Sequence, residues 1–223
     1  MERFAALIDS LVYTNSRNGK LALIARYLRE TPDPDRGWAL AAMTGGLSFP
    51  AVKAGTVRAL LADRVDEVLW ALSRDYVGDT AETASLLWPE PAGEQAPPPS
   101  VAEVVETLHH ATRASAPALL AGLLDRLDAN GRYALLKLAT GAMRIGISAR
   151  LAKVAFAQGF DVNVDEVEEY WHGQVAPYLP LFDWASGKAQ APRTDLLPLF
   201  RPFMLAHPLE DGVDVSLKDY AAE

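Results

Sequence analysis

The stretch Gly141-Ala142-Met143-Arg144-Ile145-Gly146-Ile147-Ser148 carries residue types with which a chain grips an anion. Gly141 and Gly146 can take φ > 0, or let another backbone come close, at no steric cost. Ser148 is placed to cap a following helix, its hydroxyl accepting from a free amide of the first turn. Such first-turn amides and the helix dipole together attract a negative group such as a phosphate. Arg144 lies between the glycines, and Arg150 and Lys153 follow closely. This chemistry supports two readings: a phosphate-gripping loop between helices, or a glycine-terminated helix followed by a capped one with no ligand.

Other chemistries find less material. The chain has no cysteine, which excludes disulfides, thiolate metal sites and a thiol nucleophile. His109, His110, His172 and His207 are scattered and form no metal-binding spacing, so each reads as a packing or surface residue. Asp79 and Glu82 read as a helix cap with a carboxylate three residues on, not as an acid–base pair. Glu166, Glu168 and Glu169 lack a histidine or third ligand and read as the solvated face of a helix. No Ser/His/Asp ordering, P-loop or dinucleotide fingerprint is present. The residues assign no catalytic group and no metal.

The elements that must position the glycine stretch are helical by periodicity. Phe4, Leu7, Ile8 and Leu11 predict a helix over 2–13, and Leu21, Ile24, Ala25 and Leu28 predict another over 20–30. The pair reads as a hairpin with Arg17 and Lys20 at its tip, either as phosphate contacts or as exposed turn charges. Trp38–Met43 is a further helix, closed by Thr44-Gly45-Gly46. Lys53 precedes the helix Thr56–Leu61, within reach of DNA or simply solvated. Asp66–Tyr76 reads as a helix with Val68, Leu69 and Leu72 inward, and Asp79 opens the next. Helices then follow over Ser100–Arg113 and from Ser115 through Leu127, the latter broken by Asn130-Gly131. Another leads into the glycine stretch, and Ala149–Ala157 and Asn163–Trp171 complete the set.

The fold class is therefore all-α, an irregular bundle of about ten to twelve short helices. The sequence divides into a first helical lobe over 1–88, a proline-rich linker over 89–99, a second lobe over 100–186 and an extended linker over 187–223. With 223 residues, half of them apolar, the chain can bury a sizeable core. It opens on no signal peptide and holds no apolar run of the ~20 residues that span a bilayer. It reads as soluble and cytoplasmic.

A formal charge of −8 argues against nucleic acid only if it is spread evenly. It is not. Residues 1–60 carry 8 basic and 5 acidic side chains, and residues 111–160 carry 7 and 2. Residues 61–110 carry 2 and 10, and residues 161–223 carry 4 and 12. Since salt screens charges beyond roughly 8 Å, the local blocks matter more than the total.

The run Leu-x-Leu-x-Thr-Gly-x-Met-Arg-Ile-Gly-Ile-Ser, followed by Val154-Ala155-Phe156-Ala157, resembles a segment of ATP-dependent DNA ligases. It lies there in the all-helical DNA-binding domain that precedes the catalytic core. Gly-Gly-Leu-Ser-Phe-Pro-Ala-Val-Lys, ending at Lys53, is similar to bacterial members of the group. Tyr76-Val77-Gly78-Asp79-Thr80-Ala81-Glu82 and Phe203–Leu209 also resemble the family. The resemblance implies that the Gly-x-x-Arg-x-Gly turn sits against the sugar-phosphate backbone of nicked duplex, on the minor-groove side. Gly141 and Gly146 then permit close approach, Arg144 reaches phosphate or groove, and Ser148 presents a helix amino terminus. Arg150 and Lys153 add charge, with Arg17, Lys20 and Lys53 as further DNA contacts.

The function so implied is to hold nicked double-stranded DNA for sealing in replication, repair or recombination. The family's Lys-x-Asp-Gly motif does not follow, since Lys218-Asp219-Tyr220 lacks both its spacing and its glycine. The resemblance thus implies a piece ending before the catalytic lysine, inactive alone and without a cofactor of its own. ATP and magnesium belong to the intact enzyme, whose nucleotidyltransferase and OB domains are expected partners. The net negative charge favours a rival, a helical protein–protein interaction module without DNA binding. A helical DNA-glycosylase-like enzyme is a weaker third, with no catalytic Asp or Lys at a telling spacing.

Overall fold

A computed structural model describes residues 1–141, 143 and 145–192. It holds twelve helices in the order α1 (Glu2–Tyr13), α2 (Arg17–Glu30), α3 (Asp35–Met43), α4 (Ala54–Ala62), α5 (Glu67–Val77) and α6 (Thr80–Leu87), then α7 (Val101–His109), α8 (Ala116–Asp125), α9 (Ala129–Ala139), α10 (Ala149–Phe160), α11 (Val164–Trp171) and α12 (Leu179–Ala185). No strand occurs among the described residues. Residues 193–223, with the segment Phe203–Leu209 and Lys218-Asp219-Tyr220, lie outside them.

The starts of the helices follow from local side-chain chemistry. Asp66, Asp79, Ser100, Asp128 and Ser148 each accept a hydrogen bond from the backbone N–H three residues on. Each such cap is worth about 1 kcal/mol. Asp128 corrects one expectation. Asn130-Gly131 does not break a helix; Asp128 Oδ1 accepts from the Gly131 N–H at 2.7 Å, so both residues lie in the first turn of α9. Helix α7 stops at His109, short of the expected Arg113.

Helices from either side of residues 89–99 share one hydrophobic core. Helix α9 packs on α1 and α6, and α10 packs on α2. The α2–α10 contact is close because Gly159 has no side chain, as a Cβ there would lie 3.1 Å from the Ala25 carbonyl oxygen. Beneath it, the fully buried Phe156 meets Phe160, Phe182 and Trp171 at ring-centroid distances of 4.9, 5.1 and 6.0 Å. The proline-rich stretch is pinned at several points along its length. Trp88 is buried and its Nε1–H donates to Asp125 at 2.8 Å, while Arg126 donates to the Pro97 carbonyl at 2.8 Å. It crosses the surface of the core without separating two packing units.

Helix α5 departs from expectation. Val68, Leu69 and Leu72 point outward, at 65, 49 and 66% exposure, and α5 buries no residue. Its inner side is formed by the half-buried Trp70, Ser73, Arg74 and Val77. An apolar row identifies one face of a helix, but not whether the protein or a partner covers it.

Candidate nucleic-acid interface

Helix α9 ends where Thr140 Oγ1 turns back to donate to the Leu136 carbonyl at 2.7 Å. Gly141 then takes φ +68° and Gly146 φ +67°, the left-handed region that glycine enters freely. Between them Ile145 is buried, which anchors the turn in the core, while Gly146 and Ser148 are exposed. Ser148 is in extended conformation and its Oγ accepts from the Leu151 N–H at 3.1 Å. The expected cap of α10 is therefore present. Arg144 lies outside the described residues.

The turn is held from a distant part of the chain. Lys20 Nζ donates to the Ile145 carbonyl oxygen at 2.9 Å across 125 residues of sequence. A Cβ on Gly146 would lie 3.0 Å from that same ammonium. Gly146 therefore lacks a side chain for two reasons, its backbone angle and its cationic neighbour. Helix α2 also starts three residues earlier than periodicity predicts. Ser16 Oγ accepts from the Gly19 N–H at 3.3 Å and caps it, making Arg17 its first residue. Arg17 and Lys20 thus occupy the first turn of a helix beside the glycine turn, rather than a loop tip.

The remaining expected cations differ in how free they are. Arg150 is exposed and pairs with Glu168 on α11 at 3.1 Å. Lys153 is half-buried on α10, and Arg17, Lys53 and Lys153 make no ion pair among the described residues. Lys53 is the exposed N-cap residue of α4, where its N–H donates to Thr56 Oγ1 at 3.3 Å. Among the described residues no hydrogen bond or ion pair joins it to the glycine turn. Its neighbour Ala54, however, lines a pocket of about 290 Å³ together with Arg74, Asp79, Lys137 and Thr140.

Sequence reasoning missed Lys137. It extends from α9 to Asp79 at 2.5 Å, and Asp79 also caps α6 through the Glu82 N–H at 3.0 Å. Burial opposes the charge on Asp79, but the Lys137 ammonium and the Glu82 amide outweigh it and hold the carboxyl below its usual range. The local signal was incomplete, because a cap explained Asp79 without a second partner. Among the described residues no three metal-ligating side chains converge, and no helix is long and apolar enough to cross a membrane.

The glycine turn, helix α9, most of α10 and Lys20 fall within residues 1–157, which match the family described as DNA ligase N terminus. No curated protein matches the chain.

Proposed function

This chain belongs to the DNA ligase N-terminal family, and from that premise we propose that it grips nicked double-stranded DNA through the sugar-phosphate backbone. The observation that carries the reading is the Lys20–Ile145 bond, which draws the amino end of α2 against the glycine turn. Arg17, Lys20, Arg150 and Lys153 then bring positive charge to one exposed turn whose glycines let a phosphate approach the backbone. Phosphate contacts of this kind give affinity without sequence preference, as sealing any nick demands. Arg144, between the glycines, reaches phosphate or minor groove. Lys53 extends the footprint from the side of α4.

In this reading the domain orients the nick for phosphodiester bond formation by an ATP-dependent ligase acting in replication, repair or recombination in the cytoplasm. Nucleotidyltransferase and OB domains are its partners in that reaction. They are the place for ATP and magnesium. Arg144→Glu tests the reading. Binding to nicked duplex should weaken tenfold or more while the helical CD spectrum survives. Unchanged affinity in the folded variant would remove Arg144 from the site.

A further inference from the structure

Helix α5 alone among the described helices buries no residue, yet it is strongly amphipathic. At 100° per residue, Val68, Leu72, Tyr76 and Leu69 fall within an arc of about 100°. Tyr76 is 93% exposed and the others lie between 49 and 66%. Single exposed apolar residues are ordinary, but a contiguous row with a polar border marks an interaction site. The border here is acidic: Asp66, Glu67 and Asp75 are all exposed. The two arginines nearby in sequence are engaged elsewhere. Arg74 Nε donates to Thr80 Oγ1 at 2.8 Å, and Arg64 donates to the Leu60 carbonyl and lies over the Trp88 ring at 4.9 Å.

We propose that the outer face of α5 docks an amphipathic helix of a partner protein, one that sets an apolar row between lysines and arginines. The charge of the rim selects this occupant. Carboxylates beside the row repel DNA phosphates and anionic lipid headgroups alike. A second copy of the chain, meeting α5 against α5 about a two-fold axis, would set acidic rim on acidic rim. A cationic helix gains on both counts, its apolar row covering Leu69, Leu72 and Tyr76 and its charges meeting Asp66, Glu67 and Asp75. The row and the glycine turn share no residue, and the occupant of the row is of opposite charge to DNA.

The test uses the ¹⁵N-labelled chain and a synthetic leucine–lysine helix of about 18 residues, roughly five turns. Amide shifts should concentrate on residues 67–77 and saturate at micromolar peptide. The double variant L72S/Y76S should weaken the peptide at least tenfold and leave binding to nicked duplex unchanged. A peptide with glutamate in place of lysine should also bind at least tenfold more weakly. If serine at both sites perturbs the CD spectrum, E67K/D75K takes its place, with at least fivefold weakening expected. Shifts centred elsewhere, no shifts, or equal binding by folded variants would overturn the proposal. So would a wild-type dimer in sedimentation that L72S/Y76S dissolves, because the occupant would then be a second copy.

Discussion

The glycine turn and helix α5 are both exposed, and they are built in opposite ways. At the turn the apolar residue, Ile145, is buried, and what reaches the surface is backbone, hydroxyl and cation. On α5 the apolar residues face out and are bordered by carboxylates. The turn is also cross-linked to a distant helix through Lys20, whereas α5 rests on a few half-buried side chains. In the proposed reading one surface meets a rigid polyanion and the other an apolar and cationic partner. The net charge of −8 describes neither.

Charge reversal at the turn should separate the two surfaces most sharply. K20E/K153E is expected to lower affinity for nicked duplex about a hundredfold at low salt, measured by fluorescence anisotropy, with the leucine–lysine peptide on α5 bound as before or more tightly. Loss of peptide binding in the same variant would merge the two regions into one. Gly146→Ala should cost about tenfold in DNA affinity. It forces a side chain into φ +67° and against Lys20 Nζ, a strain of order 1–3 kcal/mol that the turn relieves by moving.

Asp79→Asn probes the support behind the turn. Asparagine keeps the cap but gives up the ion pair with a largely buried lysine, so stability should fall by about 1–2 kcal/mol at neutral pH. The Asp79 carboxyl is depressed in the folded chain. Its contribution is therefore present above the unfolded carboxylate pKa and lost as pH falls through the lower folded value. Denaturant titrations of wild type and D79N should converge in strong acid; a gap that persists there would assign the effect to packing. The smallest effect is expected from Glu168→Gln, which releases Arg150 from its exposed ion pair. Pairs of this kind are worth about 0.2–1 kcal/mol, so DNA affinity should rise about twofold.

Much of the fold was legible because it is written in local chemistry. Ser148, Asp79 and Ser100 announce helix starts by residue type, and the glycines at 141 and 146 announce a turn that needs left-handed backbone. The helical class follows from such signals, while the family was read from the resemblance of the run around Gly141–Ser148 and of further segments to DNA ligases. What was hidden is long-range. Nothing near Lys20 in sequence says that its ammonium meets the Ile145 carbonyl, and nothing near Asp79 announces Lys137. The inward reading of Val68, Leu69 and Leu72 failed for a related reason. Periodicity reports that a helix has an apolar side, but only neighbours from elsewhere in the chain decide whether that side is covered.

The central claim, that the glycine turn with the amino end of α2 holds duplex DNA by its phosphates, is most directly tested by titration across salt. Anisotropy with a nicked duplex and its intact counterpart would be followed from low to physiological salt. The account predicts that log K falls linearly with log salt, with a slope of about −3 to −5 as several phosphates shed counterions, and that the nicked duplex binds more tightly. Absence of binding at low salt, or binding that salt leaves unchanged, would contradict it.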